Sequence, residues 1–96
     1  MSYELRFHET AKKQWDKLDW TIREQFLSVL ERRLQEPRVP SAKLRELPDC
    51  YKIKLRAIGY RLVYQVIDSD VVVLVLAVGK RENEAVYRSA ANTLKR

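Results

Sequence analysis

The chain has 96 residues, which suits one domain with a single core of modest size. Nineteen Lys and Arg residues against thirteen Asp and Glu give a net charge of +6, which favours an anionic partner. The single cysteine, Cys50, excludes an intramolecular disulfide and a cysteine metal cage, and we interpret it as a small apolar side chain entering a strand. No apolar signal segment opens the chain, and its longest apolar run, residues 71–78, is far shorter than the roughly 18 residues that span a bilayer. We therefore expect one domain, residues 1–96, in the cytoplasm and without a membrane partner.

The first half of the chain predicts one strand and two helices. Residues 3–7 alternate apolar and charged side chains, which is typical of a strand with one buried face. The only histidine, His8, follows this strand, and we interpret it as a local helix-capping or surface residue rather than as a catalytic base. Thr21 and Glu24 have the spacing of a capping box that would open the second helix, and Pro37 would end it. Two apolar stripes at helical spacing support the helices: Ala11, Trp15 and Leu18 in the first, and Ile22, Phe26, Val29, Leu30 and Leu34 in the second.

The second half of the chain predicts strands and a last helix. The predicted elements are a short strand around 44–47, a hairpin of strands at 50–56 and 60–67, a central strand at 71–78, and a helix at 82–94. The narrow apolar stripe of the last helix, Val86, Ala90 and Leu94, indicates that this helix is held weakly. The predicted fold class is α+β, with a small antiparallel sheet, two N-terminal helices packed on one side of it, and a short C-terminal helix.

Four cations on the hairpin are the most informative feature. Every second residue of its first strand is cationic, so Lys52, Lys54 and Arg56 share one face of that strand. A two-residue loop at 58–59 would place Arg61 opposite Arg56, whereas an odd-numbered loop would bury the charge of Arg61 in the apolar layer at high cost. The hairpin is thus predicted to gather all four cations on one open sheet face. Because like charges destabilise a sheet, a polyanion is their natural ligand, with a solvated basic face as the alternative.

Several segments, spread over essentially the whole chain, resemble the RelE toxins, the ribosome-dependent mRNA interferases of type II toxin–antitoxin modules. The most specific are Pro-Asp-Cys-Tyr-Lys-Ile-Lys-Leu-Arg at 48–56, Gly-Tyr-Arg-Leu-Val-Tyr-Gln-Val-Ile-Asp at 59–68 and Val-Gly-Lys-Arg-Glu at 78–82, with further similarity at 15–18, 23–25 and 42–45. Two residues depart from the family pattern. Glu46 stands where relatives often have Gly and adds an anion near the cations, and Asn83 stands where they often have Arg and removes an RNA contact.

The resemblance implies a compact microbial-RNase-like fold and cleavage of mRNA in the ribosomal A site by attack of the 2′-hydroxyl, with no cofactor. The positions that match the family's active site are Lys52, Lys54, Arg61, Arg81 and Tyr87. Arg45, Arg56 and Lys80 are predicted as further RNA contacts. The implied partners are mRNA, the ribosome with its 16S rRNA, and a RelB-like antitoxin. We expect this antitoxin to be acidic, disordered alone, and able to displace the helix at 82–94.

The residues themselves favour chemistry without a metal. The two strands that carry the four cations hold no carboxylate pair at metal-ligand spacing, so we predict no metal site. Crowding by other cations disfavours the charged form of Lys54, which predicts Lys54 as the base, with Lys52 and Arg61 bracing the phosphate. Arg81 would stabilise the leaving oxygen and Tyr87 would orient a nucleotide. Two alternatives remain, a ParE-like toxin that poisons DNA gyrase and a noncatalytic nucleic-acid-binding module; retention of all five active-site residues argues against the ParE-like alternative.

Overall fold

Four strands and three α-helices occur in residues 2–82 and 84–95, the part of the chain that the computed structural model describes. Their bounds are β1 (Glu4–Phe7), α1 (Glu9–Asp16), α2 (Trp20–Gln35), β2 (Cys50–Leu55), β3 (Tyr60–Ile67), β4 (Val72–Lys80) and α3 (Ala85–Leu94), with a short 3₁₀ turn at Pro40–Ala42. The predicted α+β class is confirmed. No helix within the described residues has the length and apolarity needed to cross a membrane.

The sheet is mixed, with the strand order β1-β4-β3-β2. Strands β2, β3 and β4 form an antiparallel meander, but β1 pairs parallel to β4, from Glu4 opposite Val72 to Phe7 opposite Val75. The prediction of an antiparallel sheet is therefore confirmed for β2, β3 and β4 and wrong for β1. The connection from β1 to β4 contains α1, α2 and the hairpin of β2 and β3, so it is long enough to allow a parallel pair. The alternation of residues 3–7 is the same for either strand direction. The predicted strand at 44–47 is also wrong, since only an isolated bridge from Lys43 to Tyr51 forms there.

The larger core lies between the sheet and the helices α1 and α2. Phe26 and Leu30 of α2 are buried against strand residues such as Tyr64, as the helical stripe predicts. Helix α2 ends at Gln35, before Pro37, in agreement with the prediction. Its start differs, because the helix begins at Trp20 and its N-cap residue is Asp19. Thr21 does not cap the helix as predicted; its hydroxyl donates instead to Oδ2 of Asp19 at 2.5 Å.

A second, smaller core lies on the opposite face of the sheet, under α3. It contains Cys50, Val63, Leu76, Ala77, Val86 and Ala90. In β4 the register changes from Ala77 opposite Val63 to Val75 opposite Tyr64, which leaves Leu76 as the extra residue of a β-bulge. The bulge turns both Leu76 and Ala77 toward α3. The cationic face of the sheet is therefore not fully open, because α3 covers part of it.

Two smaller predictions are confirmed by local contacts. His8 is the N-cap residue of α1, and its Nδ1 accepts a hydrogen bond from the backbone N–H of Thr10 at 3.2 Å. Cys50 is fully buried at the start of β2, where burial, reinforced by the charge of Asp49, raises the pKa of its thiol to about 12. Both side chains thus have structural roles.

Candidate active site

The register of the hairpin places Lys54 directly opposite Arg61. The loop between β2 and β3 consists of residues 56–59, so the predicted even parity is confirmed but the pairing of Arg61 with Arg56 is wrong. The backbone N–H of Gly59 donates to the Leu55 carbonyl at 2.9 Å, and Gly59 adopts φ +69°, a conformation that glycine tolerates best. This turn removes Arg56 from the strand and leaves it exposed at the tip of the hairpin.

A cavity of about 430 Å³ lies over Lys52, Lys54 and Arg61. Its floor is the cationic face of β2 and β3, one wall is the segment 44–47, and the other wall is the first turns of α3. Five of the predicted functional residues line this cavity: Arg45, Lys52, Lys54, Arg61 and Tyr87. The volume falls within the range of sites that bind small molecules, and the charge of the floor suits a phosphate group.

Three predicted residues, Arg56, Lys80 and Arg81, are exposed and do not line the cavity. They lie beside the hairpin turn: Lys80 is paired with Tyr60, and the backbone N–H of Arg81 donates to the Gly59 carbonyl at 2.7 Å. We refer to these three cations as the turn-side cations. The structure therefore brings Arg81 to the end of the hairpin but not into the cavity with Lys54.

The electrostatics of the cavity act most strongly on Lys54. The positive charge of Lys52, followed by partial burial and then by the charges of Arg61 and Arg56, holds the pKa of the Lys54 amine below its ordinary value. The direction agrees with the effect of crowding expected from the sequence. A larger fraction of Lys54 is consequently neutral at a given pH than for an isolated lysine, as a general base requires.

Tyr87 connects the helical wall to the floor. Nη1 of Arg61 lies 3.4 Å from the Tyr87 hydroxyl and donates to it, and the guanidinium carbon is 5.8 Å from the centre of the ring. A cation at this distance from an aromatic face is attracted by the ring. The orientation of Arg61 in the cavity therefore depends on α3 staying in place.

Two charged residues of the helical wall were not predicted from the sequence, Glu84 and Arg88. Together with Tyr87 and Ala91 they recur at the spacing of one helix face, and this was the available signal. The signal was usable only with the knowledge that α3 crosses the cationic face of the sheet. Glu46, whose departure from the family pattern predicted an anion near the cations, does line the cavity. Within residues 2–82 and 84–95, no group of three or more His, Cys, Asp or Glu side chains is placed to hold a metal ion.

Comparison with known proteins identifies the family. The model of the family described as ParE toxin of type II toxin–antitoxin system, parDE, matches residues 5–85. The mRNA interferase toxin RelE of Escherichia coli K12 is 55% identical over 94 residues, which cover 98% of this chain and 99% of that protein. This chain belongs to the RelE toxin family. The mRNA interferase RelE of Shigella flexneri shows the same identity and coverage, so the resemblance seen in the sequence is confirmed.

Solved structures of RelE proteins share the fold over nearly the whole chain. An arginine-to-alanine variant of E. coli toxin RelE in the free state superposes with a TM-score of 0.88 at 55% identity, covering 96% of this chain and 97% of that one. The toxin of the intact E. coli RelBE toxin–antitoxin complex superposes with a TM-score of 0.82 at 57% identity, covering 85% of this chain and 100% of that one. The four-stranded sheet with its three helices is thus the RelE fold.

Proposed function

We propose that this chain is the toxin of a type II toxin–antitoxin system and an endoribonuclease that cleaves mRNA in the ribosomal A site, which inhibits translation. The observation that carries the proposal is the cationic floor of the cavity, Lys52, Lys54 and Arg61, in a chain 55% identical to a protein named mRNA interferase. A cluster of like charges with a lowered lysine pKa is costly to a fold, and it suits an anionic substrate that is attacked with the help of a base.

The proposed reaction is transfer of the phosphoryl group within the RNA strand. Neutral Lys54 accepts the proton of the 2′-hydroxyl, the 2′-oxygen attacks the adjacent phosphorus, and the bond from phosphorus to the 5′-oxygen breaks. The products are a 2′,3′-cyclic phosphate and a 5′-hydroxyl, whose oxygen takes up a proton. Lys52 and Arg61, whose side chains share the floor with Lys54, stabilise the charge that develops on the phosphate.

Arg81 and Tyr87 have supporting roles in this proposal. Tyr87 holds Arg61 and presents part of its ring to a nucleotide. Arg81 is exposed at the hairpin turn, so it reaches the leaving 5′-oxygen only when substrate is bound, since catalytic contacts often tighten in the complex. The turn-side cations Arg56 and Lys80, together with Arg45 on the wall, contact the RNA backbone around the scissile bond.

The shape of the site supports the proposed dependence on the ribosome. Positioning of the reacting atoms can contribute roughly 7–11 kcal/mol to lowering a barrier. A floor of two strands with partial walls has few groups to hold a flexible strand in line for attack. We therefore propose that the ribosome supplies this positioning, and that mRNA and 16S rRNA in the A site of a cytoplasmic ribosome are the partners.

A RelB-like antitoxin is the proposed regulator. Relatives have been solved as RelBE complexes from E. coli and Mycobacterium tuberculosis, and as a RelE–RelB complex from Pyrococcus horikoshii. With a net charge of +6, this chain would attract an acidic antitoxin segment.

A second function is gyrase poisoning, which the ParE name of the matching family model favours. The cationic cavity is the feature that distinguishes the two functions, because gyrase poisoning does not need a ribonuclease site.

Primer extension on programmed ribosomes tests the proposal. We expect the protein to cut mRNA within the A-site codon and to leave a 5′-hydroxyl, and we expect Arg61→Ala to reduce the rate by about 10²–10³. Arg6→Ala is the matched control, because Arg6 is an exposed arginine of β1 that pairs with Glu4 and does not line the cavity. Intact mRNA together with inhibition of gyrase supercoiling would overturn the proposal in favour of the ParE-like function, and a 5′-phosphate product would rule out attack by the 2′-hydroxyl.

A further inference from the structure

The strand that carries Lys52 and Lys54, β2, is an edge strand of the sheet. An edge strand has backbone groups on its outer side that no neighbouring strand pairs. On the outer side of β2 the Leu44 N–H donates to the Cys50 carbonyl at 2.9 Å. Carbonyls two residues apart in a strand point the same way, so the Lys52 carbonyl also faces outward. Within the described residues, the outer side of β2 has the isolated bridge from Lys43 to Tyr51 but no paired strand, so β3 alone pairs the backbone under the two lysines along its length.

Arg33 of α2 supplies a contact on the outer side, at Lys52. Its Nη1 donates to the Lys52 carbonyl at 3.2 Å and to the Tyr64 hydroxyl at 2.8 Å, and its guanidinium carbon lies 5.8 Å from the centre of the Tyr64 ring. Tyr64 is itself immobilised, since it is fully buried and donates to the Pro37 carbonyl at 2.7 Å. Arg33 thus joins the edge strand to a fixed point in the core of β3.

We propose that Arg33 is a positioning residue for the active site, which fixes the backbone of Lys52 and thereby the spacing of the Lys52 and Lys54 side chains on the cavity floor. The inference rests on the proposed function. Arg33 does not line the cavity and touches no substrate there; it contacts Tyr64 on the face of the sheet that packs against α2. The planar guanidinium presents its donors in a fixed fork, which suits it to hold two oxygens in one geometry.

Movement of Lys52 would act most directly on the pKa of Lys54. Of the groups that act on the Lys54 amine, the charge of Lys52 contributes most to lowering its pKa. The other charged and titratable groups that face Lys54 come from the hairpin, the segment 44–47 and α3: Arg56, Arg61, Arg45, Glu46, Glu84, Tyr87 and Arg88. None of these is held by Arg33 in the structure. A change at Arg33 that lets Lys52 recede should consequently move the pKa of Lys54 back up toward its ordinary value.

Three variants test the inference. Arg33→Met keeps most of the apolar stem and removes the donors, Arg33→Lys keeps a charged donor, and Arg32→Met is the matched control on an exposed neighbour in the same helix. The measurements are stability to urea, single-turnover cleavage of mRNA on programmed ribosomes against pH and toxin concentration, and NMR titration of the Lys54 side chain in the free protein.

For Arg33→Met we expect the cleavage rate at saturation to fall by about 10- to 100-fold, with little change in the toxin concentration that gives half-saturation. The rising limb of its pH–rate profile and the NMR pKa of Lys54 should both move to higher pH. Arg33→Lys should recover part of each change, and Arg32→Met should behave like the wild type.

A Lys54 pKa that is the same in the wild type and in Arg33→Met would overturn the inference, and it would leave Arg33 with a role in stability alone. Should Arg33→Met fail to fold, the titration is made on Arg33→Leu, which also lacks the donors, and it decides in the same way. The titration does not depend on activity. A wild-type protein that leaves mRNA intact would overturn the proposed function, while a shifted Lys54 pKa in the variant would still support the positioning of Lys52 by Arg33.

Discussion

We predict that Val86→Ala opens the helical wall of the candidate active site while the sheet stays folded. Helix α3 buries little apolar surface, chiefly through Val86 and Ala90. Its N-cap residue also does little to stabilise the first turn. That residue, Glu84, has φ 60° and makes no side-chain capping hydrogen bond. A left-handed conformation costs a non-glycine residue about 1–2 kcal/mol, and a missing cap forgoes about 1 kcal/mol. The free energy that holds α3 on the sheet should therefore be a small part of the total.

The cost of Val86→Ala follows from its packing. Val86 is 6% exposed and lies over Gly79, where a Cβ atom would be 3.5 Å from its Cγ2. The substitution removes two carbons, which at about 0.8 kcal/mol each amounts to about 1.6 kcal/mol of transfer free energy. Gly79 has no side chain that could fill the space left by the two methyl groups, so a small cavity remains. The cavity raises the total loss of free energy to about 2 kcal/mol. That amount raises the population of the open form about 30-fold.

Amide hydrogen exchange measures the opening of α3 separately from global unfolding. In the wild type we expect the amides of α3 to exchange with a clearly smaller free energy than those of the central strand β4. Val86→Ala should lower the free energy of α3 opening by about 2 kcal/mol and reduce cleavage, because Tyr87 then leaves Arg61. Val73→Ala is the matched control, since Val73 is fully buried in the core on the other face. It should destabilise β4 by a similar amount and leave the opening of α3 unchanged. Equal protection of α3 and β4 in the wild type would refute the reasoning.

Three further predictions concern charge, backbone strain and regulation. Lys52→Met should move the rising limb of the pH–rate profile to higher pH, because the proposed base Lys54 would act unprotonated and the charge of Lys52 is the main cause of its lowered pKa. A limb that does not move would rule out Lys54 as the base. Val71→Asn should raise the free energy of unfolding in urea by about 1 kcal/mol, because β-branched Val71 has φ 54° and Asn tolerates this conformation better, whereas Val71→Thr should give no such gain. Binding of a RelB-like antitoxin should speed hydrogen exchange in α3, and unchanged protection there would contradict displacement of the helix.

The secondary structure was largely predictable because each element has a strong apolar signal. The apolar stripe through Phe26 and Leu30 fits only a helix, and the β-branched run of β4 fits only a buried strand. The parity of the hairpin was predictable for a different reason, since the wrong parity would bury the charge of Arg61. Its register was not, because a shift by two residues preserves parity and carries no such cost. The turn at Gly59 decides the register, and the choice between loop lengths depends on backbone geometry rather than on side-chain pattern.

The residues that form the walls of the site could not be predicted from the sequence, for a related reason. An amphipathic stripe shows that α3 packs on something, but it does not say which face of the sheet receives it. Once α3 is placed over the cationic face, Glu84 and Arg88 join the cavity by helical spacing alone. In the same way, the segment 44–47 becomes a wall rather than a strand because Leu44 and Leu47 pack into the small core under α3.

The two faces of β2 explain how the fold tolerates the charges of the candidate active site. On one face Tyr51 and Ile53 are buried in the main core, and the Tyr51 ring stacks on Tyr64 with 5.7 Å between the ring centres. On the other face Lys54 stands opposite Arg61, a pairing of like charges that costs a sheet up to about 1 kcal/mol. Burial of the apolar face offsets this cost, at about 1.5–3 kcal/mol for each large side chain. The repulsion that weakens the sheet also lowers the pKa of Lys54, so the same arrangement that costs stability favours the proposed role of Lys54 as the base.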